Sequence, residues 1–130
     1  MDFYKELEQD IRNAYESSPT IEEAEKLAAK FLAAQMALSA DLKQVDLDSR
    51  MKKSGLKAIR AAVYLQKASE GDKKPSDVML NAMVDSDPVV GESQLSFDKA
   101  EVSKNHLENY LSVFHEAHIY FRGLAKGRFE

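Results

Sequence analysis

Apolar residues recur three or four positions apart along almost the whole chain, a spacing that predicts helices rather than strands. Residues 2–17 make the first helix, with Phe3, Leu7, Ile11 and Ala14/Tyr15 on one face and Asp2 as a cap. Ser17-Ser18-Pro19-Thr20 interrupts it, because the residue before a proline is pushed out of helical geometry. Thr20 followed by Glu23 has capping-box spacing and restarts the helix. From Ile21 to about Ser69 no breaker intervenes. Leu27, Phe31, Ala34, Leu38, Leu42 and Val45 hold the period, and Leu56, Ile59 and Val63 continue it. Such a helix is roughly 70 Å long at 1.5 Å per residue. That length predicts a coiled-coil arm, or a helix buried by other copies of itself, with a bend near Asp48, Ser49 and Gly55.

The run Glu70-Gly-Asp-Lys-Lys-Pro75 reads as a turn, after which Ser76 caps a short helix with Val78, Met79, Ala82 and Met83 as its apolar face. Ser86-Asp87-Pro88 ends that helix, and residues 89–96 read as a loop. The last element, residues 97–126, is strongly periodic through Ala100, Leu107, Tyr110/Leu111, Phe114, Ala117/His118, Phe121 and Leu124/Ala125. Its stripe is wide enough to meet more than one neighbour. The expected architecture is therefore all-α and a single domain over residues 1–130. It has an N-terminal helix within 1–19, a long helix with a basic segment over 20–70, and a short helix, loop and C-terminal oligomerisation helix over 76–126. These elements suggest an elongated helical hairpin that assembles into an oligomer.

Composition narrows the function classes. The chain has 130 residues, 44% hydrophobic and 31% charged, enough to bury a core. There is no cysteine, so disulfide and thiolate chemistry are excluded, which suits a reducing cytosol. No apolar run approaches the ~20 residues needed to cross a bilayer, and no signal-peptide core opens the chain. The expectation is a protein without a membrane partner, in the cytoplasm, or in the host cytoplasm if phage-encoded.

Charge changes the picture most. The chain carries 18 Lys+Arg against 22 Asp+Glu, yet Arg50, Lys52, Lys53, Lys57, Arg60 and Lys67 fall in an 18-residue stretch with no acid. That block is +6 in a chain that is otherwise −10. On a helix, Arg50, Lys53, Lys57, Arg60 and Lys67 are spaced 3, 4, 3 and 7 apart and form one stripe, and Tyr64 fills the vacant place. Like charges one turn apart repel by a few tenths of a kcal/mol per pair, so the stripe asks for a polyanion. An aromatic beside cations can stack on an unpaired base for ~1–3 kcal/mol. No groove-reading motif accompanies it, so contact would be to backbone rather than to sequence. The bland alternative is that the stripe pairs with the acids of another helix, such as Glu101, Glu108 and Glu116, or with another subunit.

Other candidate chemistry is thin. His115 and His118 lie i, i+3, whereas the zinc-protease pattern needs i, i+4, and His106 is nine residues before His115. No metal or cofactor is expected, and His118 on the apolar face reads as a packed histidine. Asp46/Asp48 and Asp85/Asp87 fall where helices are expected to bend or end, and capping accounts for them. The five methionines read as core filling. No phosphate loop or nucleophile elbow is present, and no enzyme is expected.

Three stretches together resemble the UvsY-like recombination mediators of tailed phages. Lys52-Lys53-Ser-Gly-Leu-Lys57-Ala-Ile-Arg60 followed by Tyr64 resembles that family's Leu-Lys-Ala-Arg segment with its following tyrosines. The segment from Pro75 to Val90 is similar to its short Met-x-x-Val/Leu helix running into a Ser/Thr-Asp-x-Asp turn. Phe121-Arg122-Gly123-Leu124-Ala125-Lys126 resembles its C-terminal helix with Arg-Gly near the end. The chain departs from the pattern by placing two residues, not one, between Lys57 and Arg60, by a longer loop around Gly91, and by stopping soon after Arg122-Gly123. The resemblance implies a ring-like homo-oligomer joined through the C-terminal helix, whose stripe offers Leu107, Leu111, Phe114, His118 and Phe121. It also implies single-stranded DNA, a RecA-type recombinase and a single-strand-binding protein as partners. Lys57 and Arg60 are the matched DNA contacts, and Arg50, Lys53, Tyr64 and Lys67 join them from the stripe. A helical protein–protein adaptor, such as a phage assembly chaperone or an inhibitor of a host complex, is the alternative reading.

Overall fold

The computed structural model describes residues 2–127, and all of its regular structure is helical: α1 (Asp2–Glu16), α2 (Ile21–Ser69), α3 (Asp77–Ser86) and α4 (Pro88–Ala125). The capping box at the start of α2 forms as its spacing predicts. Thr20 Oγ1 accepts from the Glu23 N–H at 3.2 Å, and Glu23 Oε1 accepts from the Thr20 N–H at 3.3 Å. Among the described residues no helix is long and apolar enough to cross a membrane.

The helices make two compact units. The first comprises Met1–Lys43 with Asn105–Glu130. Here α1, the start of α2 and the end of α4 enclose Leu7, Ile11, Phe31, Leu38, Phe114 and Phe121, with Phe31, Phe114 and Phe121 fully buried. Aromatic rings join the helices: Tyr4 meets Phe114 at 6.1 Å, Tyr15 stacks on Phe121 at 5.4 Å, and Phe31 meets Phe121 at 5.8 Å. Alanines at 24, 28 and 34 keep this stretch of α2 slim beside those rings. At the start of α1 the inward ring is Tyr4 rather than Phe3, which is exposed. The Tyr4 hydroxyl donates to Asp41, and Lys30 bridges to Asp10 at 2.9 Å. Burial, and then Asp41, push the Tyr4 hydroxyl pKa up to about 12.

The second unit is Gln44–Lys104. Its core is built from smaller side chains: Leu56, Val63, Val84 and Val90, with Ile59, Tyr64 and Phe97 packed against them. Ser49 is also buried in this unit and donates to Glu101.

Three expectations are corrected here. Residues 89–96 are helix, because Asp87 and Pro88 start α4 instead of opening a loop. The Asp87 carboxylate accepts from the Val89 N–H at 2.9 Å, its carbonyl accepts the first helical bond from Gly91, and Pro88 sits at the first helical position, where its missing N–H costs nothing. The α3 face is reversed: Leu80 and Val84 are buried, while Val78, Met79, Ala82 and Met83 point outward. Finally, α2 runs unbroken through Asp48, Ser49 and Gly55, so Asp46 and Asp48 cap nothing.

Candidate nucleic-acid interface

The basic stripe lies on the part of α2 within the second unit, and it does not stay uncompensated. Arg50 Nε lies 3.1 Å from Asp46 Oδ2 and Lys52 Nζ 3.2 Å from Asp48 Oδ2, both i, i+4 pairs within α2. Lys104 takes the other oxygen of Asp46 at 3.2 Å. Arg60 Nη2 bonds Asp85 Oδ1 on α3 at 2.6 Å, and Lys67 Nζ stands 3.9 Å from Glu70 Oε2. Four of the six cations therefore have a carboxylate of their own chain nearby. Glu101, a suggested partner, binds Ser49 instead.

Helical phase and the packing of α3 together explain the division. Leu56 and Val63 define the buried face of this stretch. At 100° per residue, Lys67 and Arg60 lie about 30° and 50° from that face, and Lys57 and Arg50 about 110° and 130°. Lys53 lies about 70° and Tyr64 about 90° from it, so Tyr64 is covered by α3 rather than by phase. Arg60, Tyr64 and Lys67 are half-buried, and Arg50, Lys53 and Lys57 are exposed. Lys53 and Lys57 make no ion pair with any described residue.

Tyr64 is not a free stacking platform. Its ring packs against the Leu56/Val63 cluster, and its hydroxyl donates to Asp77 at 2.7 Å, an interaction that raises the hydroxyl pKa. Arg60, Tyr64, Leu65, Asn81 and Val84 line an open groove of ≈ 440 Å³ between α2 and α3. The stripe predicted from spacing thus separates into an outward trio and an inward trio.

The residues expected to join subunits sit in the first unit. Leu107, Phe114 and Phe121 are buried within the chain's own core, and Leu111 and His118 are half-buried. His118 Nδ1 lies 2.9 Å from the Ala28 carbonyl, and His115 Nδ1 lies 3.1 Å from Gln35 Nε2. Among the described residues no three His, Asp or Glu side chains gather as a metal site would require.

Spacing within the basic block does not reveal its counter-ions. Asp46 and Asp48 precede Arg50 and Lys52 by four residues, a signal that was visible just upstream of the block. Asp77 and Asp85 reach the stripe only through the packing of α3, which no local pattern announces. Comparison of the chain with known families, with curated proteins and with solved structures finds no match.

Proposed function

We propose that this chain is a non-enzymatic single-stranded-DNA-binding protein of the recombination-mediator type, which helps a RecA-type recombinase load onto a strand covered by single-strand-binding protein. The observation that carries this reading is Lys53 and Lys57, exposed one turn apart without a carboxylate partner among the described residues, with Arg50 one turn before them. The Arg50–Asp46 pair is exposed on its cation side, and such pairs are worth about 0–1 kcal/mol, so a phosphate can displace the carboxylate. Three cations over two turns suit the phosphates of a flexible strand. Without base-reading side chains around them, binding would be independent of sequence.

The test is a polarisation titration of the full chain at low salt against matched single- and double-stranded oligonucleotides. The single strand should bind more tightly, with affinity falling as salt rises. Absence of binding at low ionic strength, or equal affinity for duplex, would remove the reading.

The outward Val78, Met79 and Met83 of α3 favour a second reading, a helical protein–protein adaptor, since methionine-rich surfaces adapt to partners. It predicts a flat oligonucleotide titration.

A further inference from the structure

The part of α2 in the second unit carries a second apolar face that its own core does not use. Leu47, Met51, Ser54, Ala58, Ala61 and Leu65 follow at steps of 4, 3, 4, 3 and 4, the heptad spacing of a coiled-coil seam. Every one of them is exposed, Leu47 at 53%, Met51 at 65% and Leu65 at 68%. The buried Leu56 and Val63 occupy the opposite side of the helix. We infer that this outward seam pairs with the same seam of a second copy of the chain, α2 against α2 and parallel.

Three observations choose that occupant. First, the seam is large at its ends and small in its middle, and beside the small stretch sits Gly55. A Cβ added at Gly55 would meet nothing within 4 Å, so nothing inside the chain requires glycine at this mid-helix position. Close approach of another backbone does require it. Second, the seam's three large side chains, Leu47, Met51 and Leu65, are each more than half exposed, so pairing would withdraw apolar surface that the fold leaves in water.

Third, the charges at the seam's edges set the orientation. One edge carries Lys43, Arg50 and Lys57, and the other Asp48, Gly55 and Ala62. In a parallel pair each position of the first edge faces the position five residues on along the second edge of the other copy. Lys43 then meets Asp48, while Arg50 and Lys57 lie across Gly55 and Ala62, which offer room and no like charge. An antiparallel pair would set the two basic edges together. The pairing leaves Lys53 off the seam, and it does not rest on DNA binding.

Sedimentation of the full chain without DNA tests it, so its failure and that of the DNA reading are separable. The parent should sediment at twice the chain mass, and Ala58→Arg at the chain mass with its helical circular dichroism retained. Ser54→Cys, the only thiol in such a variant, should oxidise to a covalent dimer many-fold faster than Lys99→Cys. A monomeric parent would overturn the inference. So would an oligomer that Ala58→Arg leaves intact, or a Ser54→Cys variant that cross-links no faster than the Lys99→Cys control. The thiol pair decides the matter should Ala58→Arg fail to fold.

Discussion

Replacing Lys53 and Lys57 together by alanine removes the two cations of the stripe that have no counter-ion among the described residues. Both side chains are exposed, so the fold loses nothing. Each phosphate neutralised on a single strand contributes about −0.7 to the slope of log affinity against log salt. With Arg50, Lys53 and Lys57 in contact, the parent slope is about −2.1, and affinity falls about 18-fold for a fourfold rise in salt. The double variant retains Arg50, giving a slope of about −0.7 and a loss of about 2.6-fold over the same range. Arg60→Ala with Lys67→Ala supplies the contrast, because those cations are half-buried beside Asp85 and Glu70. That pair should leave the slope near the parent's. The assay is polarisation of a labelled oligothymidylate at several salt concentrations, with thermal melts to confirm folding. If the Arg60/Lys67 variant flattens the slope and the Lys53/Lys57 variant does not, the division of the stripe into exposed and half-buried cations is wrong.

Three further outcomes follow from packing and capping. Phe114→Ala empties a fully buried site beside Tyr4 and Tyr110 and should cost about 3–5 kcal/mol in urea unfolding, and a loss under 1 kcal/mol would refute that packing. Asp87→Ala removes the cap of α4 and should cost about 1 kcal/mol, whereas Asp87→Asn, which keeps an acceptor, should recover most of it. The Tyr4 pKa, raised from 10.0 to about 12, means that the fold favours the protonated ring. Its contribution is complete below pH 10 and is lost as pH climbs from there toward 12. Melting temperature should therefore decline less steeply in Tyr4→Phe than in the parent above pH 10, and parallel declines would count against the Asp41 bond.

Local signals made most of the helices legible. The Thr20/Glu23 box, the proline at 19 and the cap at Ser76 each act within four residues, and α1 ends, and α2 and α3 begin, where those residues direct. Pro88 misled because proline both stops a helix and opens one. Only the Asp87 side chain turning onto the Val89 N–H decides which. The face of α3 was ambiguous for a related reason: Leu80 and Val84 are as apolar as Val78, Met79 and Met83, and ten residues offer two stripes of equal claim. The basic block was visible as a count, but its division was not. Whether Arg60 meets solvent or Asp85 depends on where α3 comes to rest, a contact 25 residues away.

The single non-helical residue between α3 and α4 has a consequence for how the chain can change length. Asp87 closes one helix through its N–H to the Val84 carbonyl and opens the next through its carboxylate, so the junction holds no slack. One residue added or deleted there would swing the start of α4 by about 100° and carry Val90 off the core. The exposed stretch at residues 70–74 has no such phase to keep. Natural insertions and engineered tags should be tolerated in that stretch and rejected at Asp87.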